Sequence, residues 1–495
     1  MTDCGVAAVV CKQASDKFAA YRALQSLLQG LQHRGPLGCG VGIFNEDSNL
    51  LEQQKNLGLV QHVLDGEPMH GSKGLGMVRY GTSGFASEGS SHPLSRAVFR
   101  EKILEEQQPF HHRDRNPWWE FCVAFNGQLT NDGALRTSFR DNFVRFKTMT
   151  DTEVLEVVIA DELKKAGTCN QDLMTVFSNV AKSIEGCYNI VFIDGTGRIA
   201  ALRDPHEFRP FVYADTADYF VIASETGALE NLFDINKHSV DFINPGELLI
   251  YDNGLSKHQI AVPDSRMCLF EFIYFMNVVN RLPNNASAFS IRRMVGKEMA
   301  GIEPLRDKND FSEYLVVAVP DTARTAAHSF ASELSLELDG DGIVKDPFAG
   351  RAFLQDPTIR QHRLSIKYKV IPEVVRGRKV IVFDDSIVRG DASLEIVKRL
   401  FSAGAKEVHF RVSYSPILHP CFYGIDFPVQ AKLLAYRIGF NDALPELEAK
   451  VAKEIHADSF KYPPLDVLLR VVAKAMGRNV TEYCHACMSG RYPIE

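Results

Sequence analysis

The stretch Val380-Ile-Val-Phe-Asp-Asp-Ser-Ile-Val-Arg-Gly-Asp-Ala-Ser393 constrains the fold more than any other part of the chain. Its apolar run reads as a buried strand. The strand stops at paired carboxylates, Asp384 and Asp385, and a glycine-containing loop then opens a helix predicted over Ala392 to Phe401. A strand passing through a loop into a helix is the repeating unit of a parallel sheet, whose ligands lie outside the strand C-termini. Paired acids at that edge suit ribose hydroxyls or a hydrated Mg²⁺. The N–H groups of a helix N-terminus suit a phosphate. Together they fit a sugar phosphate; the alternative is a turn that Asp384 and Asp385 merely cap.

The same alternation appears elsewhere in the second half. Leu315 to Val319 reads as a strand followed by Pro320-Asp321, and Glu407 to Val412 as another. The first part, to about residue 260, has a different rhythm of many short strands and two helical blocks. Gly5 to Cys11, Phe121 to Phe125 and Asn189 to Asp194 read as strands. Phe18 to Leu31 has helical spacing, and Thr152 to Ala166 reads as an amphipathic helix capped by Thr150 or Asp151. Pro245-Gly246 and Asn253-Gly254 are turn signals near the end of this part. Ser87 to Glu106 is polar and irregular and reads as an exposed insert.

A chain of 495 residues exceeds one core, so two or three domains are expected. The net charge of -7 supplies no basic field and argues against nucleic acid as a partner. No apolar run is long enough for a bilayer, and the start lacks a signal-peptide pattern. Ten cysteines spread over this length argue for free thiols in a reducing compartment rather than a disulfide framework. A Cys-x-x-Cys pair, Cys484 and Cys487, suggests metal or redox chemistry. Cys4 stands directly before a buried strand. As a nucleophile it would need an adjacent base; otherwise it is a plain strand residue.

Several motifs, taken in order, resemble the amidophosphoribosyltransferase family. The Val380 to Ser393 string resembles its phosphoribosyl pyrophosphate (PRPP) motif. Val319-Pro-Asp-Thr-Ala-Arg-Thr-Ala-Ala resembles its pyrophosphate loop. Gly342-Ile-Val-Lys345 with Gly350-Arg351 resembles its flexible loop. Phe270-Glu-Phe-Ile-Tyr-Phe resembles the strand that enters its transferase domain. His33-Arg34-Gly35, Val78-Arg79-Tyr80-Gly81-Thr82, Phe125-Asn126-Gly127 and Asp151-Thr-Glu-Val-Leu155 resemble its class II glutaminase domain.

The resemblance implies an α/β (α+β) chain of two domains. Residues 1–262 would form an N-terminal nucleophile hydrolase, a four-layer αββα sandwich. Residues 263–495 would form a type I phosphoribosyltransferase with a doubly wound parallel sheet and a C-terminal cluster-binding segment. It implies a cytoplasmic glutamine amidotransferase of purine synthesis that makes 5-phosphoribosylamine from PRPP, glutamine and water, with ammonia passed between domains. The runner-up is a divergent paralogue that aminates another sugar phosphate, or a regulatory homologue without turnover. Cys4 would attack the glutamine amide, its α-amine serving as base once Met1, Thr2 and Asp3 are removed. Asn126 and the Gly127 N–H would hold the oxyanion. Arg79 would pair with the substrate carboxylate, Asp151 with its ammonium, and Thr82 would help to fix it. PRPP and Mg²⁺ would fall to Asp321, Lys345, Asp384, Asp385, Ser386, Arg389, Gly390, Asp391, Ala392 and Ser393. Cys268, Cys421, Cys484 and Cys487 match the ligand sites of the family's iron–sulfur branch, implying a [4Fe–4S] cluster; tetrahedral zinc is the rival. A homo-oligomer, dimer or tetramer, is also implied.

The chain departs from the pattern at Asp391-Ala392 for Thr-Thr, Thr322-Ala323 for Ser-Gly, Asp346-Pro347-Phe348 for Asn-Arg-Tyr, Phe125 for His and Pro36-Leu37-Gly38 for a polar triplet. The transferase positions are altered more than the glutaminase positions.

Overall fold

The computed structural model describes residues 4–13, 15–80, 93–98, 103–104, 119–142, 144–166, 172–346 and 367–494. They divide into two compact units. The first comprises Met1–Met267, Cys421–Asp426 and Ile494–Glu495; the second comprises Cys268–Pro420 and Phe427–Pro493.

Two seven-stranded sheets build the first unit. Its strands are β1 (Gly5–Cys11), β2 (Gly38–Asn45), β3 (Leu50–Leu57), β4 (Lys73–Arg79), β5 (Leu94–Val98), β6 (Ile103–Leu104), β7 (Trp119–Leu129), β8 (Gly186–Asp194), β9 (Ile199–Arg203), β10 (Val212–Asp215), β11 (Tyr219–Ala223), β12 (Asp241–Phe242), β13 (Glu247–Tyr251) and β14 (Leu255–Gln259). One sheet runs β12-β10-β11-β1-β4-β2-β3 and the other β14-β13-β9-β8-β7-β5-β6. Alternate residues along each strand face opposite ways, and both faces of each sheet are apolar. Between the sheets, Val6, Ala8 and Met77 pack with Cys122, Ala124, Val191 and Ile193. Outside the first sheet, Ala7 and Val9 meet Leu24, Leu27 and Leu28 of the helix Ala19–Gly30. Outside the second, Val123 and Phe125 meet Leu155, Ile159 and Phe177 of the helices Asp151–Ala166 and Leu173–Ser183. Four layers result, in the order helix, sheet, sheet, helix.

The helix Asp151–Ala166 is not amphipathic, as its spacing suggested. Residues 151–160 are all buried, and its acids are accommodated by partners rather than by water. Glu153 accepts from the Lys147 and Thr148 N–H groups at 2.7 Å each. Glu156 pairs with Arg96 of β5 at 2.8 Å. The Ser87 to Glu106 reading is likewise corrected where it is described. β5 pairs with β7 through Leu94↔Val123 and Ser95↔Cys122, and residues 93–96 are buried. Leu94 and Arg96 face the sheet's helical side, which explains why so polar a segment belongs to the core.

The second unit carries the parallel sheet. Its strands are β16 (Tyr314–Ala318), β17 (Glu337–Asp339), β20 (Lys379–Asp384), β21 (Glu407–Val412) and β22 (Ser459–Lys461), in the order β17-β16-β20-β21-β22. All pairings within it are parallel. β18 (Ile343–Lys345) and β19 (Tyr368–Val370) form a separate antiparallel pair. A short sheet joins β15 (Met267–Cys268) to β23 (Tyr483–Cys484). The segment read as an entering strand, Phe270 to Phe275, is instead a π-helical turn over Glu271–Phe275. Among the described residues no helix is long and apolar enough to cross a membrane.

Candidate active site

In the first unit the site grows from the edges of three strands. Cys4 precedes β1 and is 2 % exposed. The His33-Arg34-Gly35 turn approaches β4 so closely that a Cβ on Gly35 would stand 2.5 Å from the Arg79 nitrogen; only glycine fits there. Arg34 is fully buried, and its Nε donates to the Cys4 carbonyl at 3.1 Å. Its terminal nitrogen pairs with Glu225, which also takes His33 Nε2 at 3.1 Å. Burial pushes the Glu225 carboxyl up, but His33 and Arg34 outweigh it and hold it at about 2. The Cys4 main chain is thus gripped by a buried cation with its own counter-charge. Sequence reasoning missed Glu225, because nothing local links it to a residue so far back in the chain.

Burial draws the Arg79 guanidinium below its usual range, while Cys4 and Asp151 act on it in the opposite sense. Thiol, guanidinium and carboxylate therefore share one neighbourhood. Asp151 opens its helix and accepts from the Leu129 N–H at 3.2 Å. Burial holds its proton up to about 6, against the help of that N–H. Asn126 and Gly127 lie on β7, and Gly127 passes so close to β8 that a Cβ would meet the Cys187 carbonyl at 1.9 Å. Asn126 is fully buried, and among the described residues neither its Oδ1 nor its Nδ2 has a hydrogen-bond partner. Buried polar atoms are nearly always satisfied, so this amide is shaped for something the fold does not supply. Phe125, one residue earlier, points the other way into the helical-side core. Thr82 lies outside the described residues.

In the second unit β20 ends at Asp384, which is buried, and its neighbour Asp385 is half-buried. Asp384 Oδ1 accepts from the Asp385 N–H and Asp385 Oδ1 from the Ser386 hydroxyl, each at 2.8 Å. Burial and the charge of Asp385 push the Asp384 carboxyl well up. Burial holds Asp385 at about 6, against Ser386, Arg292 and Lys367. Two crowded acids that resist ionisation are suited to a divalent cation, which would supply the missing positive charge. The loop Ser386 to Gly390 turns at Gly390, whose φ of 88° and contact with Leu434 both call for glycine. Gly390 is the N-cap of the helix Asp391–Ser402. Asp391 and Ala392 thus form the first turn, with Ser393 buried behind them. On the neighbouring strand end, Asp321 accepts from Lys345 of β18 at 2.8 Å. Ala323 has ordinary helical angles, so glycine is not required there. Pro347, Phe348, Gly350 and Arg351 lie outside the described residues.

Three of the four singled-out cysteines fall in this unit. Tyr414 Oη lies 3.3 Å from Cys487 Sγ. Burial raises the Tyr414 hydroxyl well above its ordinary range, with Cys487, Cys268 and Cys484 adding to it. The Cys487 carbonyl accepts from the Leu418 and His419 N–H groups at 2.8 and 2.9 Å. Cys421 belongs to the first unit, where its sulfur accepts from the Tyr423 N–H at 3.3 Å. Among the described residues no group of three or more His, Cys, Asp or Glu side chains is close enough to hold a metal ion.

A two-sheet sandwich that holds a buried cysteine, a half-buried arginine and an unsatisfied buried amide fits a glutamine amidotransferase, and the glutamine amidotransferase domain family matches residues 95–231. The similarity extends much further along the chain. It is 32% identical over 497 residues to an amidophosphoribosyltransferase of Archaeoglobus fulgidus, covering 99% of this chain and 98% of that one. It is 32% identical over 478 residues to that of Synechocystis sp., covering 94% and 87%. The solved glutamine phosphoribosylpyrophosphate amidotransferase from B. subtilis, complexed with ADP and GMP, superimposes with a TM-score of 0.80 at 27% identity, over 99% of this chain and 97% of that one. The chain belongs to the amidophosphoribosyltransferase family.

Proposed function

We propose that the chain makes 5-phosphoribosylamine from PRPP, glutamine and water. The observation that carries this reading is the convergence of buried Cys4, half-buried Arg79 and buried Asp151, in a unit that also buries the unsatisfied Asn126 amide. Arg79 takes the glutamine α-carboxylate as a planar, two-pronged partner. Asp151, once ionised, takes the α-ammonium. The Cys4 thiol passes its proton to its own α-amine, free once Met1, Thr2 and Asp3 are removed, and sulfur bonds to the amide carbon. The carbonyl electron pair moves to oxygen, which Asn126 Nδ2 and the Gly127 N–H stabilise. The C–N bond breaks as the ammonium returns its proton to the departing ammonia. Water then cleaves the thioester, giving glutamate and the free thiol.

In the second unit Asp384 and Asp385 would hold the ribose hydroxyls and a Mg²⁺, which would supply positive charge for the pyrophosphate that leaves. The Ser386 to Ser393 loop and helix start hold the 5-phosphate, and Asp321 with Lys345 faces the pyrophosphate. Ammonia displaces that pyrophosphate at the sugar's anomeric carbon. Cys268, Cys484 and Cys487 of the second unit would be ligands of a structural [4Fe–4S] cluster, for which sulfur donors are the appropriate chemistry; the influence of all three on Tyr414 supports it. A cytoplasmic homo-oligomer completes the reading.

The test measures glutamate and pyrophosphate release together. Both should appear in equal amounts with glutamine and PRPP. Glutamate without pyrophosphate would instead favour another acceptor, and neither product a regulatory homologue. Cys4→Ala should abolish glutamate release and leave the use of free ammonia. Intact-mass spectrometry of active protein should give a chain that starts at Cys4; full activity with Met1 retained would sink the α-amine mechanism.

A further inference from the structure

The first unit buries a second asparagine beside the oxyanion amide. Asn126 on β7 and Asn189 on β8 are direct cross-strand partners, and both are fully buried. Direct partners share a face and bring their side chains close together. That face is the one between the sheets. Ala124, two residues before Asn126, and Val191, two after Asn189, belong to the same packed core as Cys4. Asn189 Nδ2 donates to the Pro210 carbonyl at 2.9 Å. Among the described residues its Oδ1 has no partner, and neither do the two polar atoms of Asn126. Three such atoms on adjacent residues are costly to bury, and their arrangement is informative.

An amide offers two hydrogens on nitrogen and only acceptor capacity on oxygen. Asn189 Nδ2 is anchored by the hydrogen it gives Pro210, and the atom this residue leaves unanswered is an acceptor, Oδ1. The Asn126 amide, whose terminal torsion is broad and easily turned, can answer it in one way. Nδ2 gives one hydrogen to Asn189 Oδ1 and keeps the other for an oxyanion at the carbon that Cys4 attacks. The opposite flip sets oxygen against oxygen and aims an acceptor at developing negative charge. We propose that Asn189 is a positioning residue for glutamine hydrolysis: its Oδ1 fixes the flip of the Asn126 amide so that Nδ2 faces the reacting carbonyl. This rests on the reading of the first unit as a glutaminase.

Valine and threonine at this position differ by a methyl for a hydroxyl, so the pair isolates the acceptor. Asn189→Val should lower kcat for glutamine hydrolysis about tenfold, less than the roughly 100-fold that loss of an oxyanion donor itself brings. KM for glutamine should stay within about twofold, since the lost interaction belongs to the transition state. Asn189→Thr, which keeps an oxygen, should recover most of the rate. In an Asn126→Ala background the two variants should be equal. If Asn189→Val does not fold, Asn189→Ala takes its place against Asn189→Thr. Equal rates for the two variants, or a raised KM with unchanged kcat, overturn the role of Asn189 alone. A wild type that releases no glutamate overturns the glutaminase reading, and this proposal with it.

Discussion

Asp151 is poised to make glutamine binding depend on pH. Its carboxyl is held at about 6 by burial, against an ordinary 3.8, so the folded protein binds this proton more tightly than the unfolded chain does. The sign follows from linkage. Ionising Asp151 costs stability; the cost is absent below about 3.8 and fully present above about 6. An ammonium partner needs the ionised form, so KM for glutamine should fall as pH rises through about 6, read from initial rates of glutamate release. Asp151→Asn should remove that dependence and weaken glutamine binding. It should also raise Tm above pH 6 by a margin that vanishes near pH 4. A variant as pH-dependent as the wild type would assign the profile to another group. The residue types of this site could be read from the sequence because each sits inside a short motif. Its support could not. Arg34 meets Glu225, and Asn126 meets Asn189, only because β-pairing and the Gly35 turn bring distant segments together.

At the scale of elements, the segment least legible in the sequence is β5. A strand at the margin of a sheet with polar residues and no clean alternation reads as loop. Its burial depends on the Arg96–Glu156 pair, and a partner on a helix far along the chain cannot be seen locally. Both side chains are buried, at 5 % and 3 % exposure. Breaking such a pair from one side leaves an uncompensated charge and costs about 3–5 kcal/mol. Asn, Gln or Ala at 96 should therefore destabilise strongly in urea titrations. Arg96→Met with Glu156→Leu should recover most of the loss, because apolar replacement of both partners is often near neutral. Additive losses would show that the pair does not couple.

The β20 strand and its helix were readable almost to the residue, because an apolar run, two acids and a glycine leave few alternatives. What differs is the helix start, at Asp391 rather than Ala392, which leaves the cap to the residue before. Gly390 occupies it, so Asp391 cannot retreat there and stands in the first turn where a 5-phosphate would approach. At about 4 Å, like charges repel by on the order of 4 kcal/mol near a protein surface and about 1 kcal/mol in water. Asp391→Thr should tighten PRPP binding several-fold in calorimetry with Mg²⁺ at fixed salt. Weaker binding in that variant would make Asp391 a positive part of ligand recognition.

Over the whole molecule, the alternation of strands and helices separates two architectures, and similarity along nearly the entire chain joins them in one family. The cysteines are the feature that only the whole chain explains. Cys268 lies on β15 and Cys484 on β23, at opposite ends of the second unit's sequence, and the two strands form one small sheet. Cys487 follows within one turn and is fixed by two backbone N–H groups on its carbonyl. A two-residue strand pair has little stability of its own, and short terminal segments usually fray. Bonds from thiolates to a shared cluster would hold these segments at far greater strength, since metal-binding free energy becomes folding free energy where ligands come from separate segments. Protein purified without oxygen should then be brown and carry about four irons per chain, as one such cluster requires. Cys484→Ser or Cys487→Ser should lose the iron and expose the residues after Met476 to proteolysis, while Cys39→Ser, buried in the core of the first unit, should keep both iron and protection. Stoichiometric zinc without iron would replace the cluster by a tetrahedral zinc site with these sulfurs among its ligands. Iron loss without any gain in protease sensitivity would mean that the sheet of β15 and β23 stands on its own packing, through Phe272 against Tyr483, and that the cluster contributes nothing to the fold.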